Sequence, residues 1–317
     1  MRAYTLRRLL ALLPTLFIAS LIVFITVRMI PGDVIDMMLS QNDISADKLS
    51  RDQLTAALGL DRPMLEQYLI WVSSMLRGDL GASLWQGTPV TEMLLARLPV
   101  TFELGLLALL VALALALPIG IYSAIRQDSA GDFFARSFAI LLLAVPSFWL
   151  GTMVMVFPSI WWGWSPEVAH VKFFDDPVQN IKQMMVPAAV LGAALAAVTM
   201  RMTRTMMLEV LRQDYIRTAW AKGLNEPLVV TRHALRNALI PVVTLIGLQA
   251  PLLIGGAVII EQIFVIPGMG LLLLEAVTQR DYPVIAGVFL VVGVAVMLIN
   301  LVVDLSYGLL DPRVRHR

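Results

Sequence analysis

The sequence predicts an all-α membrane protein with six transmembrane helices, and three observations carry that prediction. Of 317 residues, 58% are hydrophobic and only 15% charged, against roughly 25% charged in a soluble domain. Six mainly apolar stretches, at 9–30, 101–125, 137–161, 184–206, 238–264 and 284–310, each reach the about 20 residues that cross a bilayer. Basic residues gather before the first stretch, between the fourth and fifth and after the sixth, so all three regions fall on one side.

The opening, "MRAYTLRRLLALLPTLFIASLIVFITVRM", has the basic start of a signal peptide. Its apolar run is longer than a signal core and no small-residue cleavage site follows, so residues 1–30 read as an uncleaved first span. Residues 31–100 are too polar to cross and too long for a turn. Ser50 with Gln53 forms a capping-box pair and Gly59 supplies a stop. Pro63 then introduces an amphipathic stretch with Leu65, Leu69, Val72 and Leu76 on one face, ended by Gly78. Thr88 and Pro89 fit the start of a third short helix through Arg97. This extracytoplasmic helical insertion is too small for a core of its own. It either packs on the spans or on another protein, or is an ordered connector without contacts.

The remaining five spans form a core, 101–317. The connection 126–136 balances Arg126 and Arg136 against Asp128 and Asp132 and gives no orientation. Residues 162–183 hold Glu167, Asp175 and Asp176 against Lys172 and Lys182, beside an interfacial aromatic belt, Trp161 to Trp164. In the fourth span Ala189, Ala193 and Ala197, and Gly192 with Ala196, recur every four residues and permit close helix approach. Pro146, Pro158 and Pro187 mark kinks in or at the start of spans. Arg2, Arg7 and Arg8, the loop's Arg201, Arg204, Arg212, Arg217, Lys222, Arg232 and Arg236, and the terminal Arg313, Arg315 and Arg317 then place both termini in the cytoplasm.

The chemistry that the composition excludes is as informative. The chain has no cysteine and three scattered histidines, which leaves no thiol chemistry and no local metal-ligand pair, and nothing suggests nucleic acid. An ion-driven carrier keeps ionisable groups near the bilayer midplane. Here Glu103, Glu261 and Asp304 all sit near interfaces, where structural pairing accounts for them. An ion-driven secondary transporter stays the alternative function, but the energy for transport is expected to enter through the cytoplasmic loop, 207–237.

That loop has an unusual form. Leu208, Leu211, Tyr215, Ala219 and, to one side, Ile216 and Trp220 follow helical spacing, so Leu208 to Trp220 reads as an amphipathic helix. Lys222 suits its C-terminal dipole, Gly223 the left-handed residue that ends it, and Asn225 caps a second helix with Pro227 in its first turn. A basic amphipathic element lying on anionic headgroups shares this composition, yet needs no glycine corner. A corner is something a partner can grip.

"DYIRTAWAKGLNEPLVVTRHALRNALIP" resembles the cytoplasmic EAA loop of ABC importer permeases, in the form of the dipeptide and oligopeptide branch. Arg217, Thr218 and Ala219 stand where the general pattern has an acidic residue and two alanines, and Gly223 agrees with it. "RMIPGD" (28–33), "LGLDRP" (58–63), "GDLGAS" (78–83), "PGMG" (267–270) and "DLSYGLLDPRVR" (304–315) extend the resemblance over the whole chain in order. The resemblance implies a type I ABC importer permease fold in a bacterial inner membrane. It also implies a second homologous permease, two ATPase subunits that bind ATP and Mg, and an extracytoplasmic solute-binding protein. The chain itself holds no GxxxxGK[ST] loop and no cofactor is expected in it, so it reads as a transport subunit and not an enzyme. Arg217, Ala219, Lys222, Gly223, Leu224 and Asn225 are then the expected ATPase contact: Ala219 and Gly223 permit close approach, Leu224 fills a pocket, and Arg217 and Lys222 meet acidic groups. Gln249, Gly255 and Gly256 on the fifth span are the candidates for the pathway. Substrates across the branch include dipeptides, oligopeptides, glutathione, nickel chelates, opines and some sugars.

Overall fold

The computed structural model describes residues 2–29, 55, 59, 61–164 and 170–310, with side chains placed for 10–29, 55, 59, 61–164 and 170–303. The Ser50/Gln53 pair, residues 30–33, the C-terminal arginines and the side chains of Arg2, Arg7, Arg8 and Asp304 lie outside that set. The described elements are α1 (Arg2–Met29), α2 (Met64–Leu76), α3 (Val90–Ile125), α4 (Ala130–Ala144), α5 (Ser147–Trp162), α6 (Pro177–Leu211), α7 (Asp214–Ala221), α8 (Leu235–Phe264), α9 (Met269–Gln279) and α10 (Tyr282–Leu310). A helical turn, Glu226–Leu228, and a π-helical stretch, Val229–Ala234, lead into α8.

Among the described residues, five helical segments are long and apolar enough to cross a membrane: Leu10–Met29, Val90–Ile125, Pro177–Leu211, Glu226–Phe264 and Tyr282–Val303. The expected third span, 137–161, is not one helix. It is the pair α4 and α5, bent by 95°. Pro146 has no N–H to donate, and its ring drives the preceding residue out of the helical region. Val145 accordingly has φ −87° and ψ 120°. The expected short helix through Arg97 is also corrected. Nothing stops the chain after Pro89, and α3 runs unbroken from Val90 into the second span.

The chain forms two compact units. One comprises Met1–Thr5, Pro99–Leu271 and Leu298–Arg317, the other Leu6–Leu98 and Leu272–Met297. In the first, α6 is the hub: 67% of its most apolar window is buried, against 28% or less for the other four spans. Small residues make this possible. A Cβ on Gly192 would lie 2.4 Å from the Ala108 carbonyl oxygen of α3, and Ala193, Ala196 and Ala197 are buried beside it, whereas Ala189 of the same row is exposed. Leu104, Ala108, Leu191, Leu195, Ala257 and Ile260 are among the residues of the resulting core between α3, α6 and α8.

At the end of α8 the same unit buries Glu261 completely. Its carboxylate accepts hydrogen bonds from Thr101 Oγ1 at 2.5 Å and from the backbone N–H groups of Gly270 at 2.7 Å and Leu271 at 3.0 Å. Thr101 Oγ1 in turn accepts from Met269 N at 2.8 Å. The first turn of α9 thus has its orphan donors satisfied by an acid, as a helix N-terminus favours.

In the second unit α2 packs on α1 through Tyr68, whose hydroxyl lies 2.9 Å from Ser20 Oγ and whose ring meets Phe24 edge-on at 5.4 Å. On the expected apolar face of α2, Leu65, Leu69 and Leu76 are 70%, 58% and 78% exposed and Val72 is half-buried, so within this unit the helix packs through Tyr68 instead. The segment 78–89 is fastened to the start of α10. Ser83 Oγ donates to the buried Asp281 at 2.5 Å, Leu84 N donates to the same carboxylate at 3.2 Å, and Trp85 Nε1 donates to the Gln279 carbonyl at 2.8 Å.

Candidate functional site

The loop after α6 builds a protruding corner from local chemistry. The α6 helix ends at Leu211, so Leu208 and Leu211 belong to the span, and the chain breaks at Arg212–Gln213 before the short α7. Asp214 suits the positive N-terminal end of α7. At the other end Lys222 is the C-cap and Gly223 takes φ +81°. Gly223 N donates to Trp220 O at 2.9 Å and Leu224 N to Ala219 O at 3.4 Å. These are the two bonds of a Schellman ending, and Leu224 and Ala219 share one apolar cluster, as that motif requires. Asn225 then turns to extended geometry and its side chain accepts from Leu228 N at 3.2 Å, capping the next helix. The expected helix, glycine turn and helix are therefore present.

The two faces of α7 differ. Ile216 and Ala219 are buried with Met207 of α6, Ala124 of α3, and Val229, Val230 and Ala234 at the base of α8. Burying a side chain such as Ile216 contributes about 1.5–3 kcal/mol, which fastens the corner to three long helices. Asn237 Nδ2 donates to Tyr215 OH at 2.8 Å and clamps α7 to α8 directly. Outward lie Arg217, Trp220, Lys222, Gly223 and Asn225. Arg217 pairs with Asp214 on the exposed surface.

Among the residues expected to touch a partner, then, Arg217, Lys222, Gly223 and Asn225 are accessible. Ala219 is turned inward, and Leu224 is half-buried in the same internal cluster. Trp220, placed by its spacing to one side of the apolar row, is 41% exposed, and Tyr215 in that row is 43% exposed. Of the pathway candidates, Gly256 packs with its Cβ position 3.0 Å from Leu191 Cδ1, Gly255 faces open space, and Gln249 is half-buried with no partner for its Nε2 among the described residues.

A second constellation lies in the same unit, and the sequence reading missed it. Asp132 on α4 is fully buried. Arg204 on α6 grips it through Nε and Nη2, both at 2.8 Å, while Ser123 of α3 and the Asp128 N–H at 3.0 Å also donate to it. Arg136 stands 3.5 Å away, over the Phe133 ring. Arg204, counted with the loop cations, is thus a helix-to-helix tie. The available signal was Ser129 three residues before Asp132, an N-cap pattern that the structure contains as Asp132 N to Ser129 Oγ at 3.3 Å.

Comparison with known proteins gives the family. A family model described as "Binding-protein-dependent transport system inner membrane component" matches residues 116–316, and its N-terminal companion matches residues 1–105. The dipeptide transport system permease protein DppB of Escherichia coli (strain K12) is 41% identical, with the whole of each chain covered. The oligopeptide transport system permease protein AppB of Bacillus subtilis (strain 168) is 40% identical over the whole of both chains. A putative peptide transport system permease protein of Brucella abortus (strain 2308) is 38% identical with the same coverage.

Proposed function

Because this chain belongs to the family of binding-protein-dependent transport system inner membrane components, we propose that its glycine corner is the element through which partner ATPases drive peptide import. The chain is a multi-pass inner-membrane permease subunit of an ABC importer. Peptides are the substrate class, a reading supported by relatives named for dipeptide, oligopeptide and peptide transport. A second homologous permease supplies the other half of the pathway, and two ATPase subunits and a solute-binding protein complete the assembly. Both termini and the corner face the cytoplasm, in keeping with the loop's basic residues. The described part of the insertion, fastened to Asp281, serves as a collar on the side where the binding protein docks.

One observation carries the coupling role. The corner is exposed on its outer face and rigidly packed on its inner one, so a partner that moves it also moves the cytoplasmic ends of α6 and α8. The Asp132–Arg204 tie extends the moving body to α4 and α3. A rigid-body shift of packed helices is the usual way such transporters change access. The ATPase contact falls on Arg217, Lys222, Gly223, Asn225 and the exposed Trp220, with Ala219 and Leu224 holding the corner in shape from within.

The natural chain has no cysteine, so a single introduced thiol reports from one place. Lys222→Cys and Asn225→Cys, in the assembled importer, should each cross-link to an ATPase lysine through a short maleimide–succinimidyl ester reagent, with a yield that changes between nucleotide-free and ATP-bound states. Absence of any ATPase adduct from both positions, in an importer that still transports, would remove the assignment.

A further inference from the structure

In the second unit a cavity of about 430 Å³ opens between the end of α1, α2 and the start of α10. That is within the roughly 300–1,000 Å³ of small-molecule sites. Its walls include Phe24, Val27, Ile70, Trp71, Leu80 and Tyr282. One cation in it stands apart. Arg28 is half-buried, its guanidinium lies 5.4 Å from the centre of the Phe24 ring, and it forms no ion pair among the described residues. The other charged groups at the rim are engaged: Arg62 pairs with Glu66 at 3.1 Å, and Asp79 accepts from Gly81 N at 2.8 Å.

The position of Arg28 selects its counter-charge. It is the last residue but one of a helix apolar enough to cross the membrane, Leu10–Met29, which places it at the boundary where lipid phosphates lie. Around it the surface is apolar and uncovered. Ile22, Ile25 and Met29 of α1 are 58%, 46% and 75% exposed, and Ile70 of α2, which lines the cavity, is 42% exposed. In a bilayer such residues meet acyl chains, and a short helix with an apolar exposed face lies along the interface. An isolated inorganic anion would gain nothing from the aromatic and aliphatic walls. An amphiphile with a phosphate gains from both.

We propose that this cavity is a phospholipid site in the leaflet at the α1 end opposite the N-terminus, with the lipid phosphate paired to Arg28. The first acyl carbons lie against Phe24, Val27 and Ile70. A bound lipid would fasten α2 to α1 as the Tyr68 contact does.

The test uses the assembled importer in a maltoside detergent, with Ile70 replaced by photoreactive benzoylphenylalanine and adducts read by intact mass. Dioleoylphosphatidylglycerol, dioleoylglycerol without phosphate, and inorganic phosphate are titrated separately. A saturable adduct of one phosphatidylglycerol is expected, competed neither by inorganic phosphate nor, at equal concentration, by dioleoylglycerol. Arg28→Gln should raise the half-saturating concentration about tenfold, as loss of a charged hydrogen bond predicts, while Arg28→Lys stays within a few-fold and shows that the unit is intact. Equal labelling by dioleoylglycerol, equal labelling in Arg28→Gln, competition by inorganic phosphate alone, or an adduct with the binding protein in place of lipid would each overturn the proposal.

Discussion

Substituting Gly223 separates two explanations of the corner. At φ +81° a residue with a Cβ is strained whatever surrounds it, and a Cβ there meets nothing within 4 Å. The cost is therefore carried by the backbone alone. For Ala it is about 1–2 kcal/mol, which shifts the balance between formed and unwound corner by roughly 5–30-fold. Asn enters the left-handed region far more readily than Ala, and Val least of all. Transport and ATPase stimulation should then fall in the order Gly, Asn, Ala, Val, with equal amounts of protein in the membrane. Uptake of labelled peptide and binding-protein-stimulated ATP hydrolysis, measured on the same preparations, give that order. If the glycine were needed only because the ATPase comes close, activity would instead follow side-chain volume, with Ala better than Asn. That outcome, or normal coupling in Gly223→Val, would refute the conformational argument.

Other outcomes follow from contacts already described. Asp132→Asn should lower the stability of the purified protein by about 3 kcal/mol, the low end for a broken buried pair, because 19% of the Arg204 side chain keeps access to solvent; the thermal denaturation midpoint in detergent reads it. Val265 is a β-branched residue at φ +53°, directly after α8, so Val265→Gly should raise the same midpoint by an amount worth about 1 kcal/mol. Asp281→Ala strands the buried Ser83 hydroxyl and the Leu84 N–H, at about 1–3 kcal/mol for each donor left unpaired. Loosening the 78–89 segment in this way should reduce delivery from the binding protein while basal ATP hydrolysis stays unchanged; equal loss of both would argue against the collar.

The corner was legible in the sequence because its chemistry is local. Gly223 and Asn225 satisfy backbone groups no more than five residues away, so residue type alone names the turn. The Asp132–Arg204 tie was not, since its partners are far apart in the chain and each resembles an ordinary loop charge. Pro146 carried a helix-breaking signal, but a hydropathy window averages across it and sees one span where there are two helices. The exposed leucine face of α2 has a different cause. Leucine spacing reveals that a helix has an apolar side, but in a membrane protein both the core and the lipid are apolar, so the spacing does not say which one that side meets. Ala219 shows the same limit on a smaller scale: a small residue permits close approach, and here what approaches is the chain's own α8 base.

The buried Glu261 also restricts which sequences can descend from this one. A Cβ on Gly268 would lie 2.2 Å from Glu261 Oε1, and one on Gly270 would lie 2.4 Å from the Val258 Cα and 3.0 Å from Glu261 Oε2. While the acid is present, Gly268→Ala is closed as a single step. Once Glu261 is shortened, that clash disappears, but Thr101 and the N–H groups of Gly270 and Leu271 lose their acceptor. The acid, the threonine and Gly268 are therefore tied as one hereditary unit: a lineage can exchange them together, or only in an order that passes through a less stable intermediate, whereas Gly270 is held in addition by the Val258 backbone.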